Sequence, residues 1–286
     1  MEKQAKGRSN LSGVWRRLRK NKIAVVSMFL LLVIFLIAIF APLLAPHSYD
    51  STTPSRALEG PSKEYPLGTD RIGRCILSRL IYGSRQSLQM GIFAVTSAAI
   101  VGIFIGAIAG YFGGAADTLL MRFLDIFQGV PMFLLTVTLA AVLGPSLRNA
   151  IIAIGISMIP GKARLMRASI LTVREMEYID AARSIDASNA RIITKHVIPN
   201  AIAPVIVSYT MSMGMAVLSG AGLSFIGLGV QAPIAEWGAM ISDGRSFMRS
   251  QPQLALYPGI CVIITVLAFN MLGDGLRDAL DPRLKN

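Results

Sequence analysis

The stretch QSLQMGIFAVTSAAIVGIFIGAIAGYFGGAA, residues 86–116, runs for 31 residues without a charged side chain. A hydrocarbon core of about 30 Å is crossed by about 20 largely apolar residues in α-helix, so this stretch is long enough to span a bilayer. Four more charge-free runs lie outward of it, at 23–46, 126–147, 197–235 and 250–273. The whole composition agrees. The chain of 286 residues is 53% hydrophobic and 15% charged, with a mean hydropathy of +0.57, against apolar and charged shares of about 45–50% and about 25% in soluble domains.

The run at 23–46 follows eight cations (Lys3, Lys6, Arg8, Arg16, Arg17, Arg19, Lys20 and Lys22) and would pass for a secretory leader on charge alone. It is much longer than the apolar core of a cleavable leader and ends in APLLAP, so it reads as an uncleaved anchor. Cys75 and Cys261 are too few for a disulfide framework. His47 and His196, with no cysteine at ligand spacing, argue against a zinc site. The net charge of +12 fits a nucleic-acid surface or basic loops beside a membrane. Its cations lie in blocks between apolar runs, which favours the membrane and no nucleic-acid partner.

The reading is an all-α membrane protein with six spans near 23–45, 86–110, 118–143, 147–165, 201–225 and 255–274. Around them lie a basic tail at 1–22, an extracytoplasmic segment at 46–85, a five-helix core at 86–280 with a loop at 166–200, and a tail at 281–286. The fourth span is short unless it tilts or Arg148 and Lys162 reach toward the interfaces. With the N-terminus inside, 19 Lys and Arg fall on the cytoplasmic side and 9 outside, so both termini are expected in the cytoplasm. Arg71, Arg74, Arg79 and Arg85 run against that bias. Their spacing suggests a short amphipathic helix over 72–84 lying on the outer surface.

The loop at 166–200 holds most of the interior charge. Tyr178, Ile179, Ala182 and Ile185 recur at helical spacing, as do Ala190, Ile193 and Val197, which predicts two short helices. Between them Asp186-Ala187-Ser188-Asn189 signals a turn, with Ser188 as N-cap of the second helix and Pro199 marking the return to the membrane. The small Ala181 and Ala182 would let another surface approach closely. Asp180 and Arg183 at i,i+3, with Arg174, Glu175 and Glu177, form a charged rim. Periodicity alone suits a solvated interfacial loop as well as a docking element.

This loop resembles the Glu-Ala-Ala loop of ABC-transporter permeases. Asp180-Ala181-Ala182 stand in place of its opening triplet, Asp186 where that family has glycine, and Val197-Ile198-Pro199 at its far end. Further matches narrow the resemblance to the C-type permease of peptide importers, a group that includes nickel and glutathione systems. They are Trp15 with Arg19-Lys20-Asn21-Lys22, Pro66-Leu67-Gly68-Thr69-Asp70, Gly73-Arg74, Ser78-Arg79, Tyr82-Gly83-Ser84-Arg85 and Gly110-Tyr111-Phe112-Gly113-Gly114. Leu223 to Gly229, Glu236-Trp237-Gly238 and Asn270 to Pro282 complete them, while Cys75 replaces a usual aspartate.

The resemblance implies a type I importer permease in a bacterial or archaeal inner membrane, forming the translocation path for peptides. Its implied partners are a homologous second permease, two ATPase subunits and an extracytoplasmic substrate-binding protein. Tyr178, Asp180, Ala181, Ala182, Arg183, Asp186, Ala187, Arg191 and Pro199 would belong to the element that couples to the ATPase. Leu67, Gly68, Thr69, Asp70, Gly73, Arg74 and Trp237 would face partners outside the membrane. No cofactor or metal is expected on this chain; ATP and Mg would sit on the ATPase subunits. In agreement, Gly161-Lys162 is followed by Ala163, and Gly155 lies at the wrong spacing for a phosphate-cradling loop.

Several features have plainer readings. Arg122 and Asp125, opposite charges inside an apolar stretch, read as a self-neutralising pair. Met211, Met213 and Met215 spread around a helix and suit apolar packing better than copper. Gly220, Gly222, Gly227 and Gly229 suit close helix packing better than a path. Asp274, Arg277 and Asp278 suit an interfacial anchor or an ATPase contact. A stand-alone secondary transporter would need ionisable groups near mid-membrane, which the second, fifth and sixth spans lack. A passive channel would leave the interior helix pair without a purpose.

Overall fold

The protein is described here by a computed structural model, which covers residues 11–280. The expected tail at 281–286 and the first ten residues of the basic tail lie outside the described residues. In chain order the helices are α1 (Leu11–Lys20), α2 (Lys22–Ile39), α3 (Ala41–Leu44), α4 (Ile76–Phe112), α5 (Gly114–Gln128), α6 (Met132–Leu143) and α7 (Leu147–Val173). They continue as α8 (Glu177–Ser184), α9 (Asn189–Ile192), α10 (Ile198–Ala201), α11 (Ala203–Phe225), α12 (Trp237–Gly244) and α13 (Gln253–Leu280). No strand occurs among the described residues. In α2, α4, α11 and α13 length and apolar content suffice for a membrane span, and the bent pair α5–α6 makes a fifth.

α4 is the axis of the bundle, and its closest neighbour is α7. The reason is a row of small residues. Glycines at 102, 106 and 110 recur every fourth residue on one face of α4, and that face lies directly on α7. A methyl group added at Gly106 would stand 2.3 Å from the carbonyl oxygen of Ala163, and one at Gly102 2.5 Å from Cβ of Lys162. Ala94, Ala98, Ala150 and Ala153, all fully buried, continue the seam and let Met90, Ile154 and Leu223 fill the core. α11 and α13 pack on the other side of α4, and α2 closes the bundle through Leu31 and Ala38 against Leu88 and Phe269.

Four expectations change. Residues 72–84 form no separate surface helix: the helix begins at Ile76 and runs unbroken for 37 residues, with Arg74 and Arg79 buried. The third span is two helices meeting at 82° where Gly129 and Pro131 interrupt the backbone pattern. At the fourth expected span the helix runs for 27 residues, Leu147–Val173, and is not among those long and apolar enough to count as a span. Lys162 does not reach for an interface but donates from Nζ to Ser208 O, Ser208 Oγ and Ser212 Oγ at 2.8, 2.8 and 2.6 Å, tying α7 to α11. Asp125 pairs with Arg164 rather than with Arg122.

Candidate functional site

The loop at 166–200 forms where α7 outruns the bundle. Arg174 caps α7 and donates from Nη1 to the Gly110 carbonyl at 2.9 Å, fixing the end of α7 to the end of α4. The chain then turns through Met176 into α8. One face of α8 is sealed inward: Ile179 and Ala182 are buried with Ile192 and Val197 against Ala107, Tyr111, Met166 and Ile170. The Tyr111 hydroxyl, donating to Asn189 Oδ1 at 2.9 Å, holds the far side of the turn.

α8 ends as a Schellman motif. The Asp186 N–H donates to the Arg183 carbonyl at 2.9 Å and the Ala187 N–H to the Ala182 carbonyl at 3.2 Å. That geometry needs a left-handed residue after the cap, and Asp186 adopts φ +57°. Aspartate tolerates this region better than most residues with a Cβ, so the turn forms where glycine is the usual choice. Ser188 then caps α9, its Oγ accepting from Arg191 N at 3.4 Å.

The two alanines therefore part company. Ala182 faces inward and cannot meet another protein, which corrects the expectation that it lets a surface approach; Ala181 is exposed. Outward with Ala181 point Tyr178, 43% exposed, and Ile185, 80% exposed, at i, i+3 and i+7 of one helix face. Asp180 and Arg183 pair across 3.1 Å beside this strip, both exposed, as are Arg191 and Pro199; Ala187 is half-buried. Partial burial raises the Tyr178 phenol above its ordinary range. Helical spacing groups Ile185 with Tyr178, Ile179 and Ala182 alike; in the structure Ile179 and Ala182 face inward and Ile185 shares the outward face of Tyr178.

At the opposite end of α4 the segment 46–75 folds back onto the helix start. Gly68, Thr69, Asp70, Gly73, Arg74 and Trp237, expected to face partners, are all buried within this chain, and Leu67 is half-buried. Their roles are internal. At Gly73, φ +80°, an added Cβ would lie 1.9 Å from the Thr53 carbonyl oxygen, so only glycine fits. The Thr69 hydroxyl donates to the Arg56 carbonyl and accepts from the Glu59 N–H.

Asp70 accepts from the Ile72 and Arg74 N–H groups, each at 3.0 Å, and from Arg74 Nε at 2.5 Å, with Arg79 Nε 3.6 Å away. Arg74 and Arg71 reach Asp243 at 3.2 and 3.6 Å. Arg79 also donates to the carbonyls of Tyr49 and Pro233 at 3.2 and 3.3 Å. This network ties the segment to α12. Asp243 was not singled out in the sequence, and 169 residues from Arg74 it carries no local signal.

Glu236, wholly buried, caps α12 by accepting from Gly238 and Ala239 N–H, each at 2.9 Å, and from Ser87 Oγ at 3.0 Å. Burial pushes its carboxyl above the ordinary range, opposed by those hydrogen bonds. Trp237 lies over Gly83 and donates from Nε1 to the Leu80 carbonyl at 3.0 Å. No cluster of metal-ligating side chains occurs among the described residues.

Comparison with known proteins bears on both ends. Residues 102–286 match the family described as binding-protein-dependent transport system inner membrane component, and residues 9–61 match the N-terminal TM domain of oligopeptide transport permease C. The dipeptide transport system permease protein DppC of Alkalihalophilus pseudofirmus is 50% identical over 272 residues, covering 95% of this chain and 90% of that one. A di/tripeptide transport system permease protein of Pseudomonas aeruginosa is 41% identical over 97% of this chain and 94% of its own. The glutathione transport system permease protein GsiD of Pectobacterium atrosepticum is 40% identical over 95% and 91%. Among solved structures, an inward-facing MetNI methionine ABC transporter chain aligns with TM-score 0.60 over 72% of this chain and 98% of its own, at 17% identity, which speaks to the fold alone. With a family match that spans most of the helical core and relatives alike from end to end, the chain belongs to the binding-protein-dependent transport system inner-membrane components.

Proposed function

We propose that this chain is one of two membrane-spanning subunits of an ATP-driven importer in a bacterial or archaeal inner membrane, and that the complex carries peptides of two or three residues. Its complex would comprise a homologous permease, two ATPase subunits that hold ATP and Mg, and an extracytoplasmic protein that delivers the solute. The peptide assignment rests on relatives named for dipeptide and di/tripeptide transport at 50% and 41% identity. Glutathione is the second reading, favoured by the relatives at 40% and 41% named for it.

The observation that carries the coupling role is the strip of Tyr178, Ala181 and Ile185. A large aliphatic side chain 80% exposed, on a short helix whose other face is pinned to the ends of α4 and α7, is shaped to enter a partner's pocket. Movement of that partner would pass to α4 and α7 through Arg174 and Tyr111. Because the strip is small and central, one substitution should suffice to break it. In the reconstituted complex, Ile185→Asp is expected to lower peptide uptake at least roughly tenfold and to release the ATPase subunits during purification. Unchanged uptake and unchanged co-purification would overturn the assignment. Competition between labelled dipeptide and glutathione for uptake separates the two solute readings.

A further inference from the structure

α1 and the first residue of α2 carry a positive charge that nothing among the described residues balances. Arg16, Arg17, Arg19, Lys20 and Lys22 place five cations in seven residues, and no Asp or Glu occurs between Glu2 and Asp50. None of the ion pairs among the described residues includes any of these five, although Asp274 and Asp278 lie on α13, against which α1 packs. Arg17 Nε is covered and has no acceptor.

The helix sorts these residues by face. With 3.6 residues per turn, Trp15, Arg16, Arg19 and Lys20 share one side of α1, and all four are exposed. Val14 and Leu18 take the opposite side and pack with Leu276 and Ala279 at the end of α13. The approach is close: a methyl group added at Gly275 would stand 2.4 Å from Cβ of Ala24. An apolar seat thus turns the cationic face outward. On that face the Arg19 guanidinium lies over the Trp15 ring, 4.8 Å from its centroid, so charge and indole are presented together.

The depth of this face is set by α2. That helix is long and apolar enough to span, only 22% of it is buried, and its 18 residues measure about 27 Å against a hydrocarbon core of about 30 Å. A span with no length to spare has its ends at the headgroups, so Lys22 starts at that level. Only Asn21 separates it from α1, and Asn21 Oδ1 caps α2 by accepting from Ile23 and Ala24 N–H at 3.1 and 3.2 Å. α1 therefore ends within one residue of the headgroup layer. An acidic protein surface would match the cations, but the exposed indole beside them suits that layer better.

We infer that the face of Trp15, Arg16, Arg19 and Lys20, with Lys22, docks on anionic phospholipid, its cations bonding headgroup phosphates. α1 then clamps the end of α13 to the membrane surface. The inference needs α2 to span and does not draw on the importer reading.

Brominated lipids test it at a single position. The full chain, purified with the subunits that accompany it, carries a genetically encoded coumarin amino acid in place of Ile23, 56% exposed in the first turn of α2, or of Ile39, 63% exposed at its other end. Each protein is placed in nanodiscs of phosphatidylcholine with one fifth phosphatidylglycerol. Either the phosphatidylglycerol or an equal amount of the phosphatidylcholine is brominated on its acyl chains. Quenching at 23 should be at least about twofold greater with brominated phosphatidylglycerol, with no such excess at 39. The excess should vanish at 1 M salt, where the screening length is about 3 Å. Equal quenching by the two lipids at 23, the same excess at both positions, or an excess that salt leaves unchanged would overturn the docking.

Two variants locate the cause. Arg16→Gln, Arg19→Gln and Lys20→Gln together leave Val14 and Leu18 in their seat and should bring the two lipids to equal quenching. Arg16→Lys with Arg19→Lys should keep the excess, because an ammonium serves a phosphate as a point charge. An excess that survives the neutral triple variant would place the anionic lipid elsewhere and overturn the assignment to α1. The salt series reads the unsubstituted helix, so it decides the question even where the triple variant fails to assemble.

Discussion

At the level of single residues, Asp186 is where the chain departs from the glycine of the loop it resembles, and the structure shows what that residue must do. It stands at φ +57° in a Schellman turn, so the position demands a left-handed conformation rather than the absence of a side chain. Asp186→Gly should be neutral or stabilising by up to about 1 kcal/mol, because the left-handed penalty is relieved while some unfolded-chain entropy is regained. Asp186→Val, branched at Cβ, should cost about 1–2 kcal/mol and loosen the loop. Thermal unfolding of the purified complex checks both. A larger loss with glycine than with valine would mean that the carboxylate, not the backbone, is what the position needs. The sequence suffices to foresee this turn, since Asp-Ala-Ser-Asn carries both the tolerant residue and the cap. Apolar spacing alone does not separate Ile185, which points out with Tyr178, from Ala182, which is seated inward, because on so short a helix residues of both faces recur at helical intervals. For the same reason Ala182→Leu should act by dislodging α8 from its seat, lowering the unfolding temperature by overpacking worth about 1–3 kcal/mol.

At the level of elements, the spans at α2, α4, α11 and α13 were legible because a missing charge over twenty residues is a one-dimensional signal, and hydrocarbon leaves few other structures available. Their interruptions were not. Pro131 and Gly129 are visible in the sequence, yet whether such a pair kinks a helix or breaks it depends on what covers the freed main chain. The partner of Asp125 is likewise set by helix packing: Arg122 is nearer in sequence, but Arg164 lies opposite once α7 is seated on α4. That seating rests on the glycine row, which gives a direct test. Gly106→Ala puts a methyl 2.3 Å from a carbonyl oxygen of α7, so the helices must part. The expected cost is about 1–3 kcal/mol, and Gly106→Leu should yield little assembled protein. Gly259→Ala in α13, where nothing lies within 4 Å, should instead stabilise by about 0.5–1 kcal/mol through helix propensity. Unfolding of the three variants in one detergent measures the contrast, and equal losses at 106 and 259 would remove close approach as the cause.

At the level of the whole molecule, α4 joins two ends built on different physics. Its 37 residues make a rod of about 55 Å, with the ion network of Asp70, Arg74, Arg79 and Asp243 at one end and the α8 strip at the other. Asp70, Arg74 and Arg79 are buried, and with the more exposed Asp243 and Arg71 the network shares two carboxylates among three guanidiniums, so removing Asp70 strands charge; breaking such a buried pair costs about 3–5 kcal/mol. The α8 end offers an exposed pair, Asp180 with Arg183, worth at most about 1 kcal/mol, and relies on apolar contact instead. Sites so far apart with no shared partners should respond independently. Asp70→Asn is therefore expected to free the 46–75 segment, so that the backbone beside the already exposed Lys63 and Arg71 opens and is cut faster by trypsin, while the ATPase subunits still co-purify. Ile185→Asp should do the reverse, leaving the trypsin pattern intact and losing the subunits. Burial shields the network from ions, so the effect of Asp70→Asn should persist at 1 M salt, where the screening length falls to about 3 Å. Should Asp70→Asn also release the ATPase subunits, α4 would be acting as one rigid transmitter between the two ends, and the independence argued from distance would fail.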